Sequence, residues 1–127
     1  MLDLIASIIV DLSDQKLYAY DAAQRLLWAT AVSTGKASTP TPVMEGKVLS
    51  KYRSVTMRGS DYVTPGVPWA MCITADGAIC LHGAPWQESA GQSFGVPRSH
   101  GCVRLPTPQA RWLFERTALG TPVTIRP

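Results

Sequence analysis

The chain has 127 residues, 12 Lys and Arg against 9 Asp and Glu, and a formal net charge of +3. That length suits one domain with its own core, and residues 1–127 are read as a single domain. No apolar run approaches the roughly 18 residues of a membrane helix, and a charge so small and dispersed argues against nucleic acid as a partner. The start, Met1-Leu2-Asp3-Leu4, has no basic region followed by a long apolar stretch, so no signal peptide is visible. The folded pattern begins near Ile5, which suggests a domain cut from a longer precursor or a mature form given a start Met.

Ten Gly and ten Pro are spread along the chain, as turns between short strands require. Ile5 to Asp11 is rich in β-branched residues and predicts a strand. Ser13-Asp14-Gln15 predicts a turn, Lys16 to Tyr20 a second strand, residues 21–24 another turn, and Arg25 to Ser33 a third strand, making a meander. The stretch from Ser33 to Pro42 holds prolines that lack the ladder donor, so an ordered loop is expected. Gly46 to Arg58 predicts one strand, followed by a loop carrying Gly59, Pro65 and Pro68. Its Lys47, Lys51, Arg53 and Arg58 read as a solvated strand face. Trp69 to Thr74 and Ala78 to His82 form a hairpin across Ala75-Asp76-Gly77. Residues 83–98 form a long loop of the kind that is usually functional in a compact domain.

Thr107 reads as the N-cap of a helix with Pro108 in its first turn. Ala110, Leu113, Phe114 and Thr117 share one face, and Gly120 can end the helix. Val123 to Ile125 predicts a closing strand. The expected fold is mostly β: a sandwich or partly closed barrel of mixed strands with one short C-terminal helix.

Three cysteines leave at least one unpaired, taken to be Cys102. Cys72 and Cys80 sit opposite each other across the hairpin. They could form a cross-strand disulfide or pack as two small buried hydrophobes. The segment Ser99-His100-Gly101-Cys102-Val103-Arg104 is the most informative in the chain. It sets a thiol after a glycine, and the only other histidine, His82, ends the hairpin where the chain leaves for the long loop. A thiol is a strong nucleophile as thiolate, and a nearby imidazole can take its proton.

His82, then residues 83–98, then Ser99-His100-Gly101-Cys102, resembles the signature of the L,D-transpeptidase catalytic domain, the YkuD family. Leu81-His82-Gly83-Ala84-Pro85-Trp86, Val10-Asp11-Leu12-Ser13, Leu17-Tyr18-Ala19-Tyr20, Val32-Ser33-Thr34-Gly35-Lys36 and Thr39-Pro40-Thr41-Pro42 are similar to that family in the same order. The likeness runs from about Ile8 to Ile125. One departure is Arg104, where many members carry Asn.

The resemblance implies a cysteine acyltransferase acting on peptidoglycan stem peptides outside the cytoplasm, in the periplasm or cell wall, with no metal or cofactor. Cys102 would be the nucleophile and His82 its base, with the other ring nitrogen held by a carbonyl near Gly83. His100 would orient the site. The N–H groups of Gly101 and Cys102 would hold the oxyanion. Ser99 would brace the motif, and Arg104 would offer a fork to a substrate carboxylate or else pair with an acid such as Glu115. Tyr62 would be an extra oxyanion donor, Trp86 a cleft wall, and 83–98 a lid. Thioester formation at the L-centre of the third residue would release D-Ala, and an acceptor amine would complete a 3→3 crosslink. Carbapenems would acylate Cys102. The alternatives are a hydrolase (an L,D-carboxypeptidase or amidase) on the same scaffold, a non-catalytic peptidoglycan-binding domain, and a zinc module built from Cys72, Cys80, His82, His100 and Cys102.

Overall fold

The structure, a computed structural model, describes residues 4–127. Met1–Asp3, at the start of the expected domain, lie outside them. Two sheets face each other. The first has β1 (Ser7–Asp11), β2 (Lys16–Tyr20), β3 (Leu26–Ala31), β4 (Met44–Lys47) and β9 (Pro122–Arg126), in the order β3-β2-β1-β9-β4. The second has β5 (Ser50–Arg58), β6 (Val63–Cys72), β7 (Cys80–Gly83) and β8 (Val103–Leu105), in sequence order. Both are mixed: β1 runs parallel to β9, and β7 runs parallel to β8.

Strand alternation puts Ile8, Val10, Leu17, Ala19, Val123 and Ile125 on one inner face, and Met71, Leu81, Val103 and Leu105 opposite them. Helix α2 (Thr107–Arg116) adds Ala110 and Leu113 to this core and stacks Trp112 on Trp28 of β3, ring centroids 4.8 Å apart. It thereby ties the two sheets together at one end. The expected sandwich of mixed strands is what the chain forms.

Several elements differ from expectation for physical reasons. The expected strand Gly46–Arg58 is two strands in different sheets. At Val48 and Leu49 the chain crosses over, Val48 N–H bonding Thr121 O and Leu49 N–H bonding Cys72 O. The expected loop around Pro65 and Pro68 is the first half of β6. There β6 pairs with β5 alone, because β7 reaches only Met71 and Cys72, so its other edge needs no donors. A register shift between Val55 and Met57 and the positive φ of Gly66 absorb the irregularity.

The expected loop 83–98 contains a five-residue helix, α1 (Pro85–Ser89). It is pinned to the segment after β3 by Gly95 N–H to Val32 O and Arg98 N–H to Thr34 O, so it is a fixed wall of the cleft and not a free lid. Thr107 is the first residue of α2, not its N-cap, and its hydroxyl meets Glu88 of α1. The helix ends at Arg116, before Gly120. Lys51 is half-buried rather than part of a solvated face. Its ammonium donates to Phe114 O and Thr117 O, both at 2.6 Å, and so satisfies orphan carbonyls at the C-terminal end of α2.

Candidate active site

Parallel pairing of β7 with β8 places His82 directly beside Arg104. Cys102 lies one residue before β8, and the same register sets it beside Cys80. Side chains from the two strands therefore share one face. His82, Cys102 and Arg104 line a single cleft with Ser99, His100, Tyr62 and Trp86. Residues 22 apart in sequence meet here because a parallel ladder needs a long crossover, which residues 84–102 supply.

His82 is 4% exposed. Its Nδ1 lies 2.6 Å from Gly83 O. A carbonyl only accepts, so Nδ1 carries the proton and Nε2 of the neutral ring keeps its lone pair. Burial pushes the imidazole pKa down to about 4, against the pull of the Gly83 carbonyl and with the help of the Arg104 charge. The ring is neutral at neutral pH.

The Cys102 thiol donates to Ala78 O at 3.4 Å and accepts from Cys80 N–H at 3.3 Å. Burial pushes its pKa up; the Cys80 N–H and the Arg104 charge act the other way. The resting site is thus a neutral thiol and a neutral imidazole in one cleft. None of the hydrogen bonds of Cys102 goes to His82, so the S–H must turn away from Ala78 to reach Nε2.

The loop before the nucleophile is held from both sides. Ser99 Oγ donates to Cys102 O and accepts from Gly101 N–H at 3.1 Å. The Gly101 N–H is therefore committed to Ser99 and not free for an oxyanion, contrary to the expectation from sequence. The Cys102 N–H makes no hydrogen bond among the described residues. Gly101 has φ +133°, a conformation that favours glycine and turns the chain into β8. From behind, Thr41 Oγ1 donates to Gly101 O at 2.7 Å and accepts from Gly35 N–H at 2.8 Å, while Thr39 Oγ1 donates to Ser99 O at 2.9 Å. The Thr-Pro-Thr-Pro stretch thus braces the nucleophile loop, which its reading as plain loop structure missed.

His100 and Tyr62 stack with ring centroids 4.3 Å apart and planes 20° apart, forming one rim of the cleft. Gly59 allows this: a Cβ there would fall inside the Tyr62 ring. Trp86 lies 5.9 Å from the His82 ring, with the Arg104 guanidinium 5.4 Å from its centroid. Arg104 makes no ion pair among the described residues. Glu115, its suggested partner, pairs with Arg111 and Arg116 instead.

Cys72 and Cys80, directly opposed in register, form a disulfide, and Cys102 is the free thiol. The disulfide takes two ligands from the zinc alternative, and no group of three metal-ligating side chains occurs among the described residues.

The geometry has relatives. Residues 5–125 match the model of the L,D-transpeptidase catalytic domain, YkuD. The chain is 32% identical over 105 residues to L,D-transpeptidase 1 of Mycobacterium tuberculosis, covering 73% of this chain and 39% of that protein. The structure of the catalytic domain of the Enterococcus faecium L,D-transpeptidase superposes with a TM-score of 0.81 at 27% identity, covering 98% of both chains. That of LdtMt1 in complex with imipenem gives 0.82 at 26% identity over 94% of this chain and 57% of the other. This chain belongs to the L,D-transpeptidase catalytic domain family, and it spans well under half the length of the curated relative named here.

Proposed function

We propose that this domain is a cysteine-dependent L,D-transpeptidase acting on peptidoglycan stem peptides outside the cytoplasm. One observation carries the reading. A lone free thiol and an imidazole with its Nε2 lone pair available share a cleft, and the Gly83 carbonyl fixes the tautomer. No helix among the described residues is long and apolar enough to cross a membrane.

Substrate binding displaces the thiol from Ala78. Sγ attacks the carbonyl carbon at the L-centre of the third stem residue while its proton passes to His82 Nε2. The oxyanion takes the unengaged Cys102 N–H, with the Tyr62 hydroxyl as a second donor from the rim. Collapse expels D-Ala as its amine, which receives the proton from Nε2, and leaves a thioester on Cys102. An acceptor amine then attacks the thioester and gives a proton to Nε2, which passes it to the departing Cys102 sulfur as the 3→3 amide forms. The low imidazole pKa favours return of the proton to the departing amine, whereas taking the proton from a thiol of raised pKa requires transfer concerted with attack. Arg104, charged and without a carboxylate partner, receives a carboxylate of the donor. The α1 wall and Trp86 limit water at the thioester, which favours the amine over hydrolysis. By similarity to the imipenem-bound relative, carbapenems acylate Cys102.

Incubation of a tetrapeptide donor with a diamino-acid acceptor tests the reaction. The expected product is a crosslinked dimer with one D-Ala released per bond. Trimmed tripeptide alone, at any acceptor concentration, would favour a hydrolase; no reaction at all would favour a binding domain.

A further inference from the structure

We infer that Gln87 is a positioning residue that aims the Arg104 guanidinium at anionic groups in the cleft and, being uncharged, leaves its charge available to them. The inference rests on the reading of Arg104 as a carboxylate receptor and adds to it the device that makes it one.

Gln87 is wholly buried, at 0% exposure, in a helix of five residues on the cleft wall. Buried amides are tolerated when their groups are matched, and here they are. Nε2 donates to Ser33 Oγ at 3.1 Å and to Ser93 O at 3.2 Å. Those acceptors fix which end of the amide is which, so Oε1 faces Arg104 and accepts from Nη1 at 3.3 Å. Ser33 is in turn locked to the Arg104 backbone by a reciprocal pair, Ser33 N–H to Arg104 O and Arg104 N–H to Ser33 O, both at 2.9 Å. Gln87 therefore closes a ring that fixes both the backbone and the tip of Arg104.

Of the five guanidinium N–H groups, the protein takes one, with a neutral acceptor. The guanidinium carbon lies over the Trp86 ring, 5.4 Å from its centroid. What remains is a half-buried cation, held in place and left with donors to spare, beside Cys102. A glutamate at position 87 would have the same shape and would neutralise it. Choosing the amide over the acid keeps the cleft cationic.

The free thiol is also the reporter, since Cys72 and Cys80 are joined. Alkylation of Cys102 by iodoacetate, an anion, is compared with alkylation by neutral iodoacetamide of nearly equal size, with N-acetylcysteine as the reference thiol. In the native protein the iodoacetate-to-iodoacetamide rate ratio should exceed that of N-acetylcysteine about tenfold. Gln87→Glu should bring it down to within about threefold of the ratio in Arg104→Gln, and raise the KM for a tetrapeptide donor more than it lowers kcat. A native circular dichroism spectrum and thermal unfolding midpoint show that the fold is retained; the ratio of the two rates cancels any change in the thiolate fraction. Arg104→Lys keeps Gln87 and the charge but removes the oriented fork, and should lower the ratio at least fivefold without disturbing the buried amide. A native ratio equal to that of N-acetylcysteine, or a native ratio retained in folded Gln87→Glu or in Arg104→Lys, would overturn the inference. Donor acylation that persists alongside such a result leaves the transpeptidase reading standing. A ratio that behaves as expected with no donor acylation sinks that reading and not this one.

Discussion

His82 Nδ1 and the carbonyl oxygen of its neighbour Gly83 lie 2.6 Å apart, and this contact determines which face of the imidazole can do chemistry. The ring is anchored within its own strand end, which keeps its basic nitrogen directed. Its depressed pKa, about 4, makes it a base that is unprotonated across the physiological range.

The acid limb of kcat/KM should therefore fall near pH 4, and not near the ordinary histidine value of about 6.5. The base works unprotonated, so activity is lost as pH drops through the folded-state value. An acid limb centred at 6.5 in the purified domain would contradict the buried, neutral assignment.

Stability should follow the same group. The unfolded chain takes up the His82 proton below about pH 6.5 while the folded one refuses it until about 4. The contribution is present above 6.5 and lost progressively as pH falls to 4, to the extent of about 3 kcal/mol. Chemical denaturation of the native protein and of His82→Gln across this window checks it: the variant should show a flatter dependence.

Cys102→Ser should retain the fold and lose turnover by at least about a thousandfold, since a serine hydroxyl is far less acidic than even a raised thiol. The free thiol should titrate above the ordinary thiol range in the native protein, as its burial requires. Iodoacetamide rates measured against pH report this directly, and a half-ionised thiol at neutral pH would contradict it.

Thr41→Val is nearly isosteric and removes the hydroxyl between Gly35 N–H and Gly101 O. Leaving both unpaired should cost about 2 kcal/mol and lower kcat more than it raises KM, because Gly101 positions the nucleophile. Thermal unfolding and steady-state rates on the same preparation separate the two effects. A variant with native stability and native kcat would show that the brace is idle.

Lys51→Met keeps an unbranched apolar side chain but removes the ammonium from the Phe114 and Thr117 carbonyls and from over the Phe114 ring. A loss of about 1–2 kcal/mol is expected, with little change in KM, since α2 packs on the inner face of the second sheet and does not line the cleft. Equilibrium unfolding in urea measures it.

Much of this was legible in the chain itself. β1 and β2 follow from alternation in Ile8–Val10 and Leu17–Ala19, and the opposition of Cys72 and Cys80 follows from the hairpin around Gly77. The nucleophile segment stands out because Cys102 follows a glycine, two residues after one of the chain's two histidines, with the other, His82, upstream at the end of the hairpin. What stayed hidden depends on contacts between distant segments. The crossover at Val48 has no local turn signal, since both halves are extended and only their partners differ. Pro65 and Pro68 read as loop because a sequence does not show which strand edge lacks a neighbour. Lys51, Thr41 and Gln87 look like surface or loop residues until the carbonyls and hydroxyls they bond to are brought in from positions up to 66 residues away.

The whole mechanism turns on Cys102 carrying the acyl group. Intact-mass measurement of the protein mixed with a tetrapeptide donor, followed by peptide mapping, tests it most directly. The expected result is a mass gain equal to the donor less D-Ala, located on Cys102, sensitive to hydroxylamine and absent in Cys102→Ser. D-Ala release with no adduct on Cys102 under rapid quenching, or an undiminished rate in Cys102→Ser, would contradict it.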